Sequence, residues 1–297
     1  MTQAWDRVAA SRDAASGDSG DLWHRALIDP SVRRLVGSVR GLRVLEVACG
    51  NGYLSRAFAR EGATEVLGID RSPASIRLAR ARERRHRSGA RFEVGDAGKL
   101  RFPDGSFDRV VANMALMDIE PAGRAVREMA RVMAPGGRLV FSLCHPCFDQ
   151  DERSAWSVEA GYDAFGVFRQ TVCRRVSAYR DERRVRVPWT MSDGSVVRTV
   201  SFHRTLTTYS RYLRDAGLAI AELDEPSPGP EMLRSSSQGA YLKEIPLHLI
   251  VAAVRRPGPT PGSRTRARSR GGGSRRPGSR GRTGGSGSSS PGSSPGS

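Results

Sequence analysis

The run Val44-Leu45-Glu46-Val47-Ala48-Cys49-Gly50-Asn51-Gly52-Tyr53-Leu54-Ser55 decides the reading of this chain. Its apolar opening reads as a short β-strand over residues 42–48, its glycines as a sharp turn, and residues 53–60 as a helix. A strand that ends in a glycine turn and enters a helix lets backbone N–H groups approach a ligand closely. Gly-x-Gly alone does not choose the ligand, because dinucleotide enzymes and plain turns share it. Three features narrow the choice. Glu46 stands four residues before Gly50, where a carboxylate repels a pyrophosphate but suits a cofactor bearing an ammonium and a sulfonium. Ser55 replaces the third glycine of the dinucleotide fingerprint, and no Gly-x-x-x-x-Gly-Lys-Ser/Thr phosphate loop occurs. S-adenosylmethionine therefore fits this turn better than NAD or ATP.

Outward from the turn, strand-like and helix-like patterns alternate. Residues 64–70 read as a second strand, and Ser72-Pro73 as an N-cap with proline in the first turn of a helix that runs to an arginine cluster near Arg87. Residues 91–94 and 107–112 give a third and a fourth strand. Pro121 starts a helix with Val126, Met129, Ala130 and Met133 on one face. Pro135-Gly136-Gly137 suits a tight turn before a fifth strand over 139–143. This alternation predicts an α/β fold with a parallel, doubly wound sheet. Past residue 146 the rhythm changes to aromatics and arginine, and Arg184-Val185-Arg186-Val187 alternates like a β ribbon. Residues 146–202 read as a substrate-side insertion, followed by a helix over 209–215 and strands near 218–223 and 246–254. The expected organisation is a helical cap over residues 1–40, a cofactor-binding domain over 41–255, and a tail over 256–297.

Supporting positions fall at the other strand ends. Asp70, in Gly68-Ile69-Asp70-Arg71-Ser72, can accept from both ribose hydroxyls. Asp96, in Val94-Gly95-Asp96-Ala97, can meet the adenine amino group, and Asn113 and Met114 would flank the methionyl end. Each acid alone reads more readily as a surface carboxylate or a helix cap; four aligned strand ends do not. These segments, with the runs from Phe107 to Met114 and from Arg131 to Leu139, resemble the successive motifs of class I S-adenosylmethionine-dependent methyltransferases. The likeness spans about residues 40–145 and returns in the last helix and strands. It implies a Rossmann-like, doubly wound seven-stranded sheet with an antiparallel edge strand and an inserted lid after strand 5. It also implies that Glu46, Ala48, Cys49, Gly50, Gly52, Asp70, Arg71, Asp96, Ala97, Asn113 and Met114 surround the cofactor. Ala48 departs from the family, which usually has glycine there. The chain most resembles a bacterial branch with His-Pro-Cys after the fifth strand and His-Arg before the last helix, here His145-Pro146-Cys147 and His203-Arg204, whose members mostly look like modifiers of small molecules.

Methyl transfer is an in-line displacement that needs a positioned nucleophile and exclusion of water, and a hydroxyl acceptor also needs a base. His145, at the carboxyl end of the central sheet, suits a base or substrate anchor, and equally a histidine that holds the insertion by hydrogen bonds. His203 and Tyr209 are further catalytic candidates, though either can instead close the last helix onto the sheet. Cys144 and Cys147 make a Cys-x-x-Cys with a histidine inside, but no second such pair completes a zinc pattern, so no metal is expected. Trp156, Tyr162, Phe165, Phe168, Tyr179 and Trp189 suit a lid that stacks on a planar substrate, or the insertion's own core. Arg174, Arg175, Arg180, Arg183, Arg184 and Arg186 favour an anionic acceptor, or form a solvated ribbon paired with Asp181 and Glu182.

The net charge of +17 looks like a nucleic-acid signature until it is located. Residues 255–297 hold ten arginines and no acid, leaving +7 for the rest. Their Arg/Gly/Ser/Pro composition has little to bury and reads as a disordered tail, either solvated or a sequence-indifferent holder of polyanions. Four cysteines make no dense disulfide framework, no run approaches the roughly 18 apolar residues of a membrane span, and no secretory signal is visible. A cytoplasmic protein with no membrane segment is expected. The expected function is methyl transfer from S-adenosylmethionine to an oxygen or nitrogen of a small molecule. An RNA or protein methyltransferase using the basic tail is one rival, although Asn113 is followed by Met-Ala-Leu rather than the Pro-Pro-aromatic turn of many enzymes that methylate base or amide nitrogens. A cofactor-binding protein without catalysis is the other.

Overall fold

The computed structural model describes residues 2–149, 151–236 and 239–255. The tail expected over 256–297 lies outside the described residues, as does any tethering by it.

Strand β1 (Arg43–Val47) shows why the sheet sits at the centre. Its side chains alternate, so Leu45 and Val47 enter one apolar layer while Val44 enters the other. Both faces are covered, as a parallel sheet requires. Strands β2 (Glu65–Asp70) and β3 (Arg91–Val94) pair parallel on one side of β1, and β4 (Phe107–Ala112) and β5 (Met133–Cys144) on the other. With β10 (Leu218–Asp224) and β11 (His248–Arg255), the sheet is seven-stranded in the order β10-β11-β5-β4-β1-β2-β3. Helices α5 (Ala122–Val132) and α6 (Leu206–Asp215) line one apolar layer. Helices α2 (Asp29–Val36), α3 (Tyr53–Arg60) and α4 (Pro73–His86) line the other. A fully buried leucine such as Leu45 or Leu54 contributes about 1.5–3 kcal/mol in such a layer.

The order reverses between β1 and β4: the chain winds outward through β2 and β3, then returns to add β4 and β5. Open α/β sheets bind ligands in the crevice at that switch point, beyond the carboxyl ends of the strands. Helix α1 (Thr2–Ser16) packs on α4 and reaches across this end of the sheet.

Several expectations are corrected. The antiparallel strand is not at the edge: β11 lies between β5 and β10 and runs against both. The crossover through α6 brings β10 back parallel to β5 but one position away, and β11 fills the gap. Pro135-Gly136-Gly137 does not precede the fifth strand but lies within β5 as an irregularity, where the register slips between Phe107/Met133 and Arg109/Arg138. Helix α6 starts at Leu206 rather than 209, because the Thr205 hydroxyl accepts from the Thr208 N–H. The insertion after β5 comprises two hairpins, β6 (Ser154–Tyr162) with β7 (Phe168–Val176), and β8 (Arg183–Thr190) with β9 (Val196–His203).

Candidate functional site

A cavity of about 350 Å³ opens at the switch point, lined by the carboxyl ends of β1 to β5 and closed above by α1 and the β8–β9 hairpin. Ten of the eleven residues expected around the cofactor line it: Glu46, Ala48, Cys49, Gly50, Asp70, Arg71, Asp96, Ala97, Asn113 and Met114. Gly52 does not. It adopts φ +74°, and a Cβ on it would meet the Phe92 ring at 2.2 Å, so it shapes the turn from beneath.

Glu46 is 3% exposed and accepts a hydrogen bond from the Ser55 hydroxyl. Ser55, recognised in the sequence only as a missing glycine, thus orients the carboxylate at the lip of the strand. Burial, reinforced by the nearby Asp29 carboxylate, pushes Glu46 up to about 7. Asp29, the first residue of α2, is a site feature that the sequence did not reveal. Its carboxylate accepts from the Tyr53 hydroxyl (3.0 Å) and the Asn113 amide (2.9 Å), and its burial raises its pKa. Asn113 in turn accepts from the Ser142 hydroxyl (2.6 Å), which itself accepts from the Met114 N–H (2.7 Å). This chain of bonds commits the Asn113 side chain to its neighbours and fixes Met114, whose φ of +47° places it in the left-handed region. Glu46, a buried carboxylate on the cavity wall with Asp29 behind it, gives the cavity a preference for a cationic ligand.

Asp70 accepts from the Gly50 N–H (2.9 Å) and the Ser72 N–H (2.8 Å), one per oxygen, and keeps further lone pairs for hydroxyls. The turn's Gly50 amide is therefore occupied by a carboxylate rather than left open for phosphate. Asp96 accepts from the Gly98 N–H (2.8 Å) and stands exposed at the rim. His24, also unanticipated, lines the cavity with its ring held 2.8 Å from Asp21, whose carboxyl falls to about 2; although burial opposes that fall, the bonds and charge of His24 outweigh it.

The catalytic candidates lie elsewhere. His145 accepts from the Cys147 N–H at Nδ1 (3.1 Å), so Nε2 carries the proton and donates to Glu225 (2.8 Å). With both nitrogens engaged and the side chain outside the cavity lining, His145 pins the segment after β5 to that after β10. Burial also lowers its pKa. His203 Nε2 donates to the Tyr179 carbonyl (2.7 Å). Tyr209 is buried in the α5–α6 layer, and burial pushes it up to about 12. None of the three reaches the cavity.

Of the six insertion aromatics only Trp189 lines the cavity, 6.1 Å from Trp5 of α1 and beneath the Arg12 guanidinium, 5.0 Å from the ring centroid. Tyr162, Phe165 and Phe168 point to solvent, at 76%, 92% and 55% exposed, so the β6–β7 hairpin does not cover the site. Trp156 packs on Tyr241 and Tyr179 on His203. None of the six insertion arginines lines the cavity; Arg183 pairs with Asp151, and Arg174 with Asp149. Among the described residues no three His, Cys, Asp or Glu side chains gather as a metal site would need.

The fold and this cavity define a nucleoside-cofactor-binding α/β domain with an acidic lip. Residues 45–141 match the family model for a methyltransferase domain. A methyltransferase from Mesorhizobium loti, described as S-adenosylmethionine-dependent, shares the fold with a TM-score of 0.61 and 29% identity, over 76% of this chain and 96% of that one. Demethylmenaquinone methyltransferase of Beutenbergia cavernae is 37% identical over 136 residues, 46% of this chain and 52% of that protein. The ubiquinone/menaquinone biosynthesis C-methyltransferase of Azotobacter vinelandii is 37% identical over 148 residues, 47% and 56% respectively. The chain spans about half the length of the curated relatives it matches. Over residues 45–141 it carries a methyltransferase domain, and S-adenosylmethionine is the cofactor that these similarities imply.

Proposed function

We propose that this protein transfers the methyl group of S-adenosylmethionine to a small molecule held between α1 and the β8–β9 hairpin. The observation that carries this reading is one continuous cavity with two chemically distinct halves. Glu46, Asp70 and Asp96 face a ligand with an ammonium, a ribose and an amino-purine, and Glu46, backed by Asp29, offers the negative charge that such a cation needs. Trp5, Met117, Trp189, Thr199 and Ser201 wall the other half with apolar surface and a few hydroxyls, which suits a small organic acceptor. When bound, the cofactor supplies an activated methyl group; this chain's residues orient it, exclude water and present the acceptor.

The relatives widen the expected acceptor atom. The Azotobacter protein is named a C-methyltransferase, so carbon joins oxygen and nitrogen as the atom to be methylated here. A small acceptor also agrees with α1 roofing the cavity. Incubating the protein and methyl-labelled cofactor with a bacterial extract, fractionated into metabolites, RNA and protein, tests the reading. Label in the metabolite fraction is expected. Label confined to RNA or protein contradicts it, and no label in any fraction would mean binding without catalysis.

A further inference from the structure

Asp118 is the last residue of the 3-10 turn Leu116–Asp118 after β4, half-buried on the wall of the cavity's acceptor half. The surrounding structure fixes its place. Its N–H donates to the Ala115 carbonyl (2.8 Å), and the buried Arg204 grips the turn by donating to the carbonyls of Leu116 (3.1 Å) and Ile119 (2.7 Å). The Ser201 hydroxyl of β9 stands beside this turn and donates to the carbonyl of the adjacent Met117 (3.5 Å). The charged and titratable groups facing Asp118 are Arg12 from α1, Arg204 beyond β9, Cys144 from β5 and Tyr209 from α6. The same half of the cavity carries the Trp5–Trp189 wall, to which a planar ring can stack.

We propose that Asp118 takes the proton from a phenolic hydroxyl of a planar acceptor stacked against Trp189, an assignment that rests on the methyl-transfer reading of this cavity. Burial outweighs the neighbouring Ser201 hydroxyl and the two arginines and lifts this carboxyl to about 7. A group that holds its proton there takes one from a phenol, ordinarily near 10, far more readily than from an aliphatic alcohol. The hydroxyl proton passes to the Asp118 carboxylate as the acceptor's electron pair forms a bond to the methyl carbon. The methyl–sulfur bond breaks with its pair left on sulfur. If the new bond is to oxygen, Asp118 later releases its proton to water. If it is to the ring carbon beside that oxygen, the hydrogen on that carbon leaves as a proton when the ring regains aromaticity, and Asp118 returns its own to the oxygen.

The test uses full-length protein and Asp118→Asn with two probes, catechol and 4-nitrocatechol, the latter already ionised at about pH 8 and so in no need of a base. S-adenosylhomocysteine affinity by calorimetry and catechol quenching of tryptophan emission are expected to stay within about threefold of the unsubstituted protein. Labelled methyl transfer to catechol is expected to fall about a hundredfold or more, with loss of the acid limb near pH 7, whereas transfer to 4-nitrocatechol falls less than about fivefold. Equal losses on both probes, or none on either, overturn the proposal. So does S-adenosylhomocysteine binding without any response to catechol. Failure to bind S-adenosylhomocysteine would instead sink the methyl-transfer reading beneath it.

Discussion

Ala48 occupies a backbone position that glycine would take more easily. Its φ of +58° is left-handed, which costs an alanine about 1 kcal/mol. Ala48→Gly is therefore expected to raise the melting temperature by roughly 2–4 °C in a thermal scan; a drop of that size would mean that the alanine methyl packs usefully against the turn. The sequence showed this departure but not its sign, because φ is set by the turn's closure. Ser55 was legible only as an absence, and its bond to Glu46 appears once β1 and α3 face each other. His145 is the converse case. Its strand-end position was read correctly, yet the Cys147 amide and Glu225 use both ring nitrogens, and Glu225 lies eighty residues away where no local pattern points to it.

Among the elements, α1 was expected as part of a helical cap, but the sequence concealed what attaches it. Its helical content was expected, but only Val8, Ala9 and Ser16 are buried, too few to mark a packing face. Polar side chains hold it instead. Asp6 accepts from the Ser72 hydroxyl (2.6 Å) and the Ala74 N–H (3.0 Å), while Arg82 of α4 donates to Asp13 (2.5 Å) and Asp18 (2.6 Å). Since α1 also lines the cavity, it is expected to gate the passage of ligands, with these bonds as its latch. Arg82→Ala is expected to speed S-adenosylhomocysteine release about tenfold in stopped-flow measurements while leaving the melting temperature within about 3 °C. Unchanged release would show that α1 does not gate the site. The two insertion hairpins divide similarly: alternation at 184–187 revealed β8, yet nothing local distinguished Trp189, which reaches the cavity, from Phe165, which does not.

For the whole molecule, the doubly wound sheet was legible because each parallel strand is a short apolar run ending at a turn or a strand-end carboxylate. The place of β11 was not, since its neighbours are chosen by the gap that β10 leaves. Charge followed the same division. The +17 total says little about the site, where the buried Glu46 carboxylate lines the cavity and Asp29, invisible in the sequence, stands behind it. A carboxyl whose folded pKa is raised binds more protons folded than unfolded, so stability is lost as pH climbs from the ordinary value of 4.5 to about 7. The ligand-free protein holds Glu46 at that cost, and a bound cation repays it.

Glu46→Gln separates the two effects and tests the account most directly. Near pH 8 the ligand-free variant should be more stable than the unsubstituted protein by about 1–3 kcal/mol in denaturant unfolding, because no buried charge remains. In calorimetry, S-adenosylmethionine affinity of the unsubstituted protein should rise as pH goes from about 6 to 8, and the variant should bind at least about tenfold more weakly with that pH dependence gone. Equal affinity in both proteins at every pH, or clean titration by NADH in place of S-adenosylmethionine, would contradict an acidic lip built for a cationic methyl donor.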